Sequence, residues 1–363
     1  MKKKKILHVP FGGIFNGGVA SVVLSIVGTL NEEYEFGSMV FREKGTREHV
    51  FEKYGRLHRV DCYFRKTPWG KFWEHLTRPF RLCLATYSIC RKYHYDILHA
   101  HNGYDMVFCL IGARIAGVPQ IIAHSHNSAS PEKARLARRI IEPIQRHFIN
   151  LLATDRVGCS QKACDDFFRH PLCTPIPNAI DLRRFVWKRN PHQGLNIVHV
   201  GRYDYPKNQS FIIDIAHVLK DYQPALRVNL VGFGKDEKML KEKVEKYSME
   251  DIAIFSDGKK TDVYEAYADA DIMIFPSCYE GFGIALIEAQ STGCYVFASD
   301  VVPTETNVGA MSCLSLNESA EIWAKKILDY WNAERRPVKE VVEKQMARFD
   351  EKVIAEQYRK LYD

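Results

Sequence analysis

The sequence predicts an α/β protein of two domains, each built on a parallel sheet. Three observations carry that expectation. Short apolar, β-branched runs alternate with helical stretches along the whole chain. At 363 residues the chain is long enough for two separate cores. Almost every group with evident chemistry sits just past a strand candidate, and open parallel sheets bind ligands at the carboxyl ends of their strands.

In the first half, strands are expected at ILHVP (6–10), DILHAH (96–101) and QIIAHSH (120–126). In the second half they are expected at NIVHVG (196–201), RVNLVG (227–232), DIMIFP (271–276) and YVFAS (295–299). A first helix is read over 20–30. PNAIDLRRF (177–185) and the polar stretch to Gly194 separate the halves. The expected division is therefore 1–185, 186–345 and a charged helical tail, 346–363. No long repeat or low-complexity segment interrupts the pattern.

Composition narrows the class. With 46% hydrophobic and 26% charged residues the chain reads as an ordinary globular enzyme. Its most membrane-like window, 106–123, is broken by Arg114, Gly117, Pro119 and Gln120, and the apolar run after MKKKK is too short for a signal segment. A cytoplasmic location is expected. The ten cysteines are scattered without a CxxC pair, which suggests neither a disulfide framework nor a thiolate metal site.

Charge is uneven. Residues 1–185 hold 28 Lys+Arg against 16 Asp+Glu, or +12, and the remainder holds 23 against 28, or −5, summing to the overall +7. No aromatic-basic RNA motif or zinc-finger spacing appears, so nucleic acid is not an expected partner. An anionic membrane surface is the better match. Two stretches could meet it, 69–92 (with Trp69, Phe72, Trp73, Phe80 among basic residues) and 133–146, either as interfacial helices or as ordinary surface helices.

The most informative stretch is DIMIFPSCYEGFGIALIEAQSTG (271–293). A buried strand ends at Pro276, a tight loop holds Glu280, Gly281, Phe282 and Gly283, and a helix follows from Ile284. Glycines permit close backbone approach, and a helix start presents unpaired N–H groups to an anion. Glu288 stands about five residues, or about 7.5 Å, up that helix. Two carboxylates around a phosphate cradle suit a ligand with hydroxyls at both ends, such as a nucleotide sugar. HVGRYDYPKNQ (199–209) sets Arg202 and Lys207 past another strand, with Lys207 opening the next helix, where two cations can neutralise a departing diphosphate. GGIFNGG (12–18) follows the first strand, either as a bare turn or as a phosphate loop. HAHNG (99–103) and AHSHN (123–127) alternate histidines at strand spacing, as metal ligands, as core residues or as substrate contacts. Asp269-Ala270-Asp271 precedes a strand rather than following one, so it reads as a junction and not as a metal-holding DxD.

FPSCYEGFGIALIEAQSTG resembles the Glu-x7-Glu donor signature of the retaining GT-B glycosyltransferases (glycosyl transferases group 1), and GRYDYPKN resembles their G-R-x4-K. PNAIDLRRF matches a further landmark of that family, with Asn178, Asp181 and Phe185 as structural positions. The resemblance implies a GT-B fold, two Rossmann-like domains facing across a cleft, with the C-terminal helix crossing back onto the first. It implies transfer from a nucleotide sugar, a UDP-sugar before a GDP-sugar, to a glycan or polyprenyl-diphosphate-linked acceptor, with retention. The setting would be bacterial capsular or exopolysaccharide or glycolipid synthesis. Arg202 and Lys207 would stabilise the leaving diphosphate. Glu280, Gly281, Phe282, Gly283 and Ile284 would orient the donor, and Glu288 would hold the ribose. Gly17 and Gly18 would lie over the diphosphate, and His126, or His124 two residues earlier, would bond the transferred sugar. His101 and Asn102 would line the acceptor side. No metal and no cofactor are expected. A sugar-nucleotide 2-epimerase and a non-catalytic nucleotide-sugar-binding protein share the motif, and a metal hydrolase would use the histidines instead.

Overall fold

The structure is a computed structural model. It describes residues 3–11, 13–15, 17–41, 44–61, 68–126 and 136–363, leaving aside the side chains of 68–75 and 136–139. Gly12, Asn16, Asn127 and Lys133, and the side chains of Trp69, Phe72 and Trp73, lie outside the described residues. The chain divides into two compact units: residues 1–179 with 351–363, and residues 180–350. The division falls at 179 rather than at 185, because Ile180 already bridges to Asp350 and Asp181 onward packs with the second unit.

The first unit holds seven parallel strands: β1 (Lys5–Pro10), β2 (Glu35–Val40), β3 (Gly55–Arg59), β4 (Ile97–His101), β5 (Gln120–Ser125), β6 (Asp155–Gly158) and β7 (Thr174–Pro175). Their order is β3-β2-β1-β4-β5-β6-β7. β1 and β4 are buried along almost their whole length, as strands covered on both faces must be. One face packs against the helices Pro68–Tyr93, Met106–Ala116 and Leu136–Leu152, through Leu82, Leu110 and Ile149. The other packs against the helices Gly18–Leu30 and Glu351–Tyr362, through Val23, Val27, Ile354 and Tyr358. The returning C-terminal helix is fixed by chemistry as well as packing. Lys4 donates to the Tyr362 carbonyl (2.7 Å), Tyr34 Oη to Asp363 (2.7 Å) and Arg359 to Glu33 (2.7 Å).

The second unit holds six parallel strands: β8 (Asn196–Val200), β9 (Arg227–Gly232), β10 (Ala253–Asp257), β11 (Ile272–Phe275), β12 (Tyr295–Ser299) and β13 (Met311–Leu314), in the order β10-β9-β8-β11-β12-β13. Asp271 explains how β11 starts. Its carboxylate accepts from the Asn196 backbone N–H (3.0 Å) and pairs with Arg189, so this aspartate ties two strand starts together.

Three readings of the sequence change. Lys207 does not open a helix: Tyr205–Lys207 is a single 3-10 turn, Asn208 turns left-handed (φ 53°), and the helix begins at Gln209. The cysteines are not all free: Cys164 and Cys173 form a disulfide across a tight return, with Cα atoms 5.7 Å apart. Spacing hid this pair because a π-turn at Cys164–Phe168 and the two-residue β7 bring the two together. The strands β2, β3, β6, β7 and β13 were not singled out in the sequence. Among the described residues no helix is long and apolar enough to cross a membrane.

The first core also encloses His8, His99, His101, His124 and His126, and the second encloses His199. Burial lowers His8 and His126 to about 3 and His199 to about 4. Burial first, and the neighbouring imidazoles second, push His99, His101 and His124 well below the usual range. Each folded value lies below that of the unfolded chain, about 6.5. Stability is therefore intact above about pH 6.5 and is lost as the pH falls, because only the unfolded chain takes up protons. Each group contributes a slope of about 1.4 kcal/mol per pH unit, so the five in the first unit rival a domain's stability of about 5–15 kcal/mol within two units. The urea midpoint is expected to be level from pH 8 to 7 and to drop steeply between pH 6 and 4. An unchanged midpoint at pH 5 would contradict the buried neutral rings.

Candidate active site

In the second sheet, β8 and β11 are neighbours, but β9 and β10 run off to one side and β12 and β13 to the other. The loops after β8 and β11 must therefore diverge, and the crevice they leave is where such sheets bind ligands. Arg202 and Lys207 follow β8, and Glu280 to Gly283 follow β11. The topology sets the loop that carries Arg202 and Lys207 next to the loop that carries Glu280 to Gly283, and Lys207 and Glu280 meet there.

The two loops are tied. The Cys278 N–H donates to the Pro206 carbonyl (2.8 Å), and Lys207 Nζ forms an ion pair with Glu280 while lying 4.7 Å from the centre of the Phe275 ring. Both members of the pair are largely buried, at 21% and 16% side-chain exposure. Breaking such a pair leaves a poorly solvated charge, so its geometry is firmly held. Arg202 is the opposite case: 73% exposed, with only Asp204 beside it at 3.2 Å. Beneath them His199 donates from Nδ1 to the Ile274 carbonyl (2.9 Å) and accepts from Gln209 Nε2 (3.2 Å), whose second hydrogen reaches the Arg202 carbonyl (2.7 Å). That chain joins β8, β11 and the start of the next helix under the cationic turn. His199 and Gln209 were missed by motif reading, although both stand inside HVGRYDYPKNQ.

Gly283 caps the helix Ile284–Ser291 with φ 80°, and a Cβ there would lie 2.8 Å from Leu286 Cδ1 and 3.1 Å from Glu280 Cγ. Glycine is thus required by the turn that presents Glu280. Phe282 points inward, fully buried against Phe349 with ring centres 5.8 Å apart, so only its backbone can face a ligand. Gly281 is buried and Ile284 half-buried. Glu288 accepts from Tyr267 Oη (3.1 Å), with Arg184 the nearby cation. Burial pushes its carboxyl up to about 7, against the opposing pull of Tyr267 and Arg184. Asp269 and Asp271 lie between the helix Val263–Ala268 and β11, at the opposite end of that strand.

In the first unit the order reverses between β1 and β4. Gly17 and Gly18 open the helix that follows β1, and a Cβ on either meets nothing within 4 Å. Neither glycine is demanded by the chain's own packing. His101 ends β4, and His126 follows β5. His101 is fully buried, with Nε2 2.9 Å from His8 Nδ1 and Nδ1 3.0 Å from His126 Nε2. It therefore lines no open surface. Asn102, left-handed at φ 66°, staples the two strand ends: its N–H donates to the His124 carbonyl (2.8 Å) and its Oδ1 accepts from the His126 N–H (3.2 Å).

Glu288 generates a prediction. Its folded value lies above the unfolded one, so the cost of the ionised carboxylate is absent at low pH and is fully present once the pH rises through about 7. Glu288→Gln is expected to melt higher than the parent at pH 8, by up to about 3 kcal/mol, with the gap closing toward pH 5. Thermal melts of both proteins at the two pH values check this, and a variant less stable at pH 8 would refute it.

The family model described as Glycosyltransferase Family 4 matches residues 16–184, and the one described as Glycosyl transferases group 1 matches residues 184–339. The chain is 25% identical to EpsF of Bacillus subtilis, over 95% of this chain and 92% of that protein. It is 24% identical to the Escherichia coli UDP-Gal:alpha-D-GlcNAc-diphosphoundecaprenol alpha-1,3-galactosyltransferase, over 87% and 82%. The crystal structure of Anabaena HepE in complex with UDP-glucose superposes with a TM-score of 0.78, at 18% identity, over 99% of both chains. With the two matches laid end to end along two Rossmann-like units, the chain belongs to the group 1 glycosyltransferases and has their GT-B fold.

Proposed function

We propose that the protein transfers a sugar from a UDP-sugar to a lipid-diphosphate-linked or glycan acceptor, with retention and without a catalytic metal, in the assembly of a bacterial surface polysaccharide or glycolipid. The observation that carries this reading is the crevice after β8 and β11, with Arg202 and Lys207 on the loop of one strand, Glu280 and the 281–283 backbone on the loop of the other, and Lys207 paired with Glu280. The UDP-glucose in the HepE structure and the diphosphoundecaprenol acceptor named for the E. coli relative support the donor and acceptor classes.

The charge to be stabilised is that of the departing UDP. The bond from the anomeric carbon to the diphosphate oxygen breaks as the bond to the acceptor oxygen forms on the same face, and the acceptor's proton leaves with the diphosphate. Arg202, exposed, offers a planar fork to the phosphate oxygens, and Lys207 a point charge. As Lys207 turns to phosphate, Glu280 is released to accept from sugar hydroxyls. The carboxyl of Glu288 receives the ribose hydroxyls, and the open approach at Gly17 and Gly18 admits the diphosphate. His126 has Nε2 3.0 Å from His101 Nδ1, so that nitrogen is engaged within the first unit.

A thermal-shift panel of UDP, GDP and their sugars, with no divalent ion added, tests the donor. UDP ligands are expected to raise the melting point by mass action. Lys207→Ala is expected to lose that shift, and Gly18→Ala to weaken it while itself melting no lower than the parent, since alanine suits a helix start better. Shifts that require a divalent cation, or that survive Lys207→Ala, would overturn the reading.

The acceptor's lipid suggests a membrane partner. Leu76, Phe80 and Leu84 repeat every four residues on the exposed side of the helix Pro68–Tyr93, and Ile144, Phe148 and Leu151 follow at spacings of four and three on the helix Leu136–Leu152. Phe80 is 70% exposed, and Arg91 and Lys92 lie exposed near the end of the same helix. Apolar stripes beside cations fit an anionic bilayer surface. The protein is expected to sediment with phosphatidylglycerol vesicles and not with phosphatidylcholine ones, and Ile144→Glu with Phe148→Glu to stay in the supernatant. Equal partition of parent and variant would refute the contact.

A further inference from the structure

Five of the buried histidines of the first unit form two chains. One is His8–His101–His126. The other is Tyr362–His99–His124, with Tyr362 Oη 2.8 Å from His99 Nδ1, and His99 Nε2 3.1 Å from His124 Nδ1. As hydrogen-bonded neutral rings these chains leave His8 Nε2, His124 Nε2 and His126 Nδ1, with Asn178 Oδ1, buried and without a partner among the described residues. One ring nitrogen from each of His101, His124 and His126 lies within 4.8 Å of the other two.

We propose that His101 Nδ1, His124 Nε2 and His126 Nε2 bind one divalent d-block cation of the zinc class, with a water in the fourth position. Imidazole nitrogens suit zinc, cobalt, nickel and copper rather than magnesium, which takes oxygen ligands. The ion is thus of a different kind from one that bridges phosphates. At Zn–N distances of about 2.0–2.1 Å, tetrahedral ligands stand about 3.3 Å apart. His101 Nδ1 and His126 Nε2, 3.0 Å apart, need open by only a few tenths of an ångström.

The proton inventory is the strongest argument. A ligating imidazole carries its hydrogen on the other nitrogen and donates it to an acceptor that fixes the ring. Here two of the three ligands have such an acceptor in place: His101 Nε2–H donates to His8 Nδ1, and His124 Nδ1–H to His99 Nε2. For the third, Asn178 is the side chain nearest in role, its Oδ1 and His126 Nδ1 both being without a partner among the described residues. The ion accounts for the otherwise unpaired His124 Nε2 and orients His126 Nδ1–H as a donor for Asn178. It would clamp the ends of β4 and β5, leaving the donor loops of the second unit untouched.

The full-length protein, stripped with chelator and checked for native circular dichroism, is titrated with Co2+ and then Zn2+. The expected result is one Co2+ per chain with the visible ligand-field absorption of a tetrahedral nitrogen site, displaced by Zn2+, and a higher melting point. His124→Gln is expected to abolish the absorption. Should that core variant fail to fold, Asn178→Ala keeps all three ligands and is expected to weaken Zn2+ about 10-fold to 100-fold while retaining the cobalt spectrum. A folded, stripped parent that shows no such spectrum, or a folded His124→Gln that binds cobalt as well as the parent does, would overturn the site. UDP-induced shifts in the same samples report the second unit, so failure of the metal site and failure of the donor reading are told apart.

Discussion

The reversal of strand order within each parallel sheet is the constraint on which the rest of the molecule depends. A parallel sheet sends every connection over its faces, so the loops at its carboxyl edge are free of hairpin duty. Where the order reverses, between β1 and β4 and again between β8 and β11, two such loops leave in opposite directions. Backbone N–H groups at the following helix starts are then left facing an opening. In the second unit that opening holds Lys207, Glu280 and the capping Gly283; in the first it holds Gly17 and Gly18. The residues that look scattered in the sequence are adjacent because the winding makes them so.

Stability is given up at the same places. Glu288 is held by Tyr267 in surroundings that raise its carboxyl to about 7, an unfavourable position for a residue with only a structural role. Lys207 and Glu280 compensate one another within a largely buried pair rather than being replaced by apolar groups that would pack at less cost. Six imidazoles sit in the cores where Leu or Val would serve packing better. Each of these choices runs against the local rule of burying apolar groups, and each lies at or near the carboxyl edge of a sheet. Such conflicts concentrate where chemistry, not folding, selects the residue.

Much of this was legible in the sequence because it is local. RVNLVG and YVFAS form strands at the residues expected, and the 281–283 turn follows from glycine spacing beside an apolar run. What was not legible depends on pairing across distance. β2 (EFGSMV) and β3 (GRLHR) carry glycines and charges that weaken a strand pattern, and their neighbours in the sheet supply what the pattern lacks. Tyr267 meets Glu288 from the helix on the other side of β11 in sequence, and Arg184 comes from the stretch that opens the second unit. No spacing rule reaches either. His8 shows the limit most sharply: a single histidine in ILHVP carries no signal until register sets it beside His99, with Ser38 on the other side. The same holds for Phe282, whose place in a motif suggested a ligand contact but whose side chain closes the core on Phe349.

Glycines separate the two kinds of constraint most cleanly. Gly283 is required by its own fold, since its φ of 80° and the closeness of Leu286 exclude a side chain whether or not a ligand is present. Gly37 is required in the same sense, because a Cβ there would collide with the Tyr95 hydroxyl. Gly17 and Gly18 meet no such demand: φ is extended at 17, neither backbone is left-handed, and the space beside each is open. Glycine at a helix start without a steric reason costs backbone entropy on folding. The turn at Gly283 is thus set by the chain's own geometry, whereas at Gly17 and Gly18 the packing of the first unit leaves room for a side chain that the sequence does not supply.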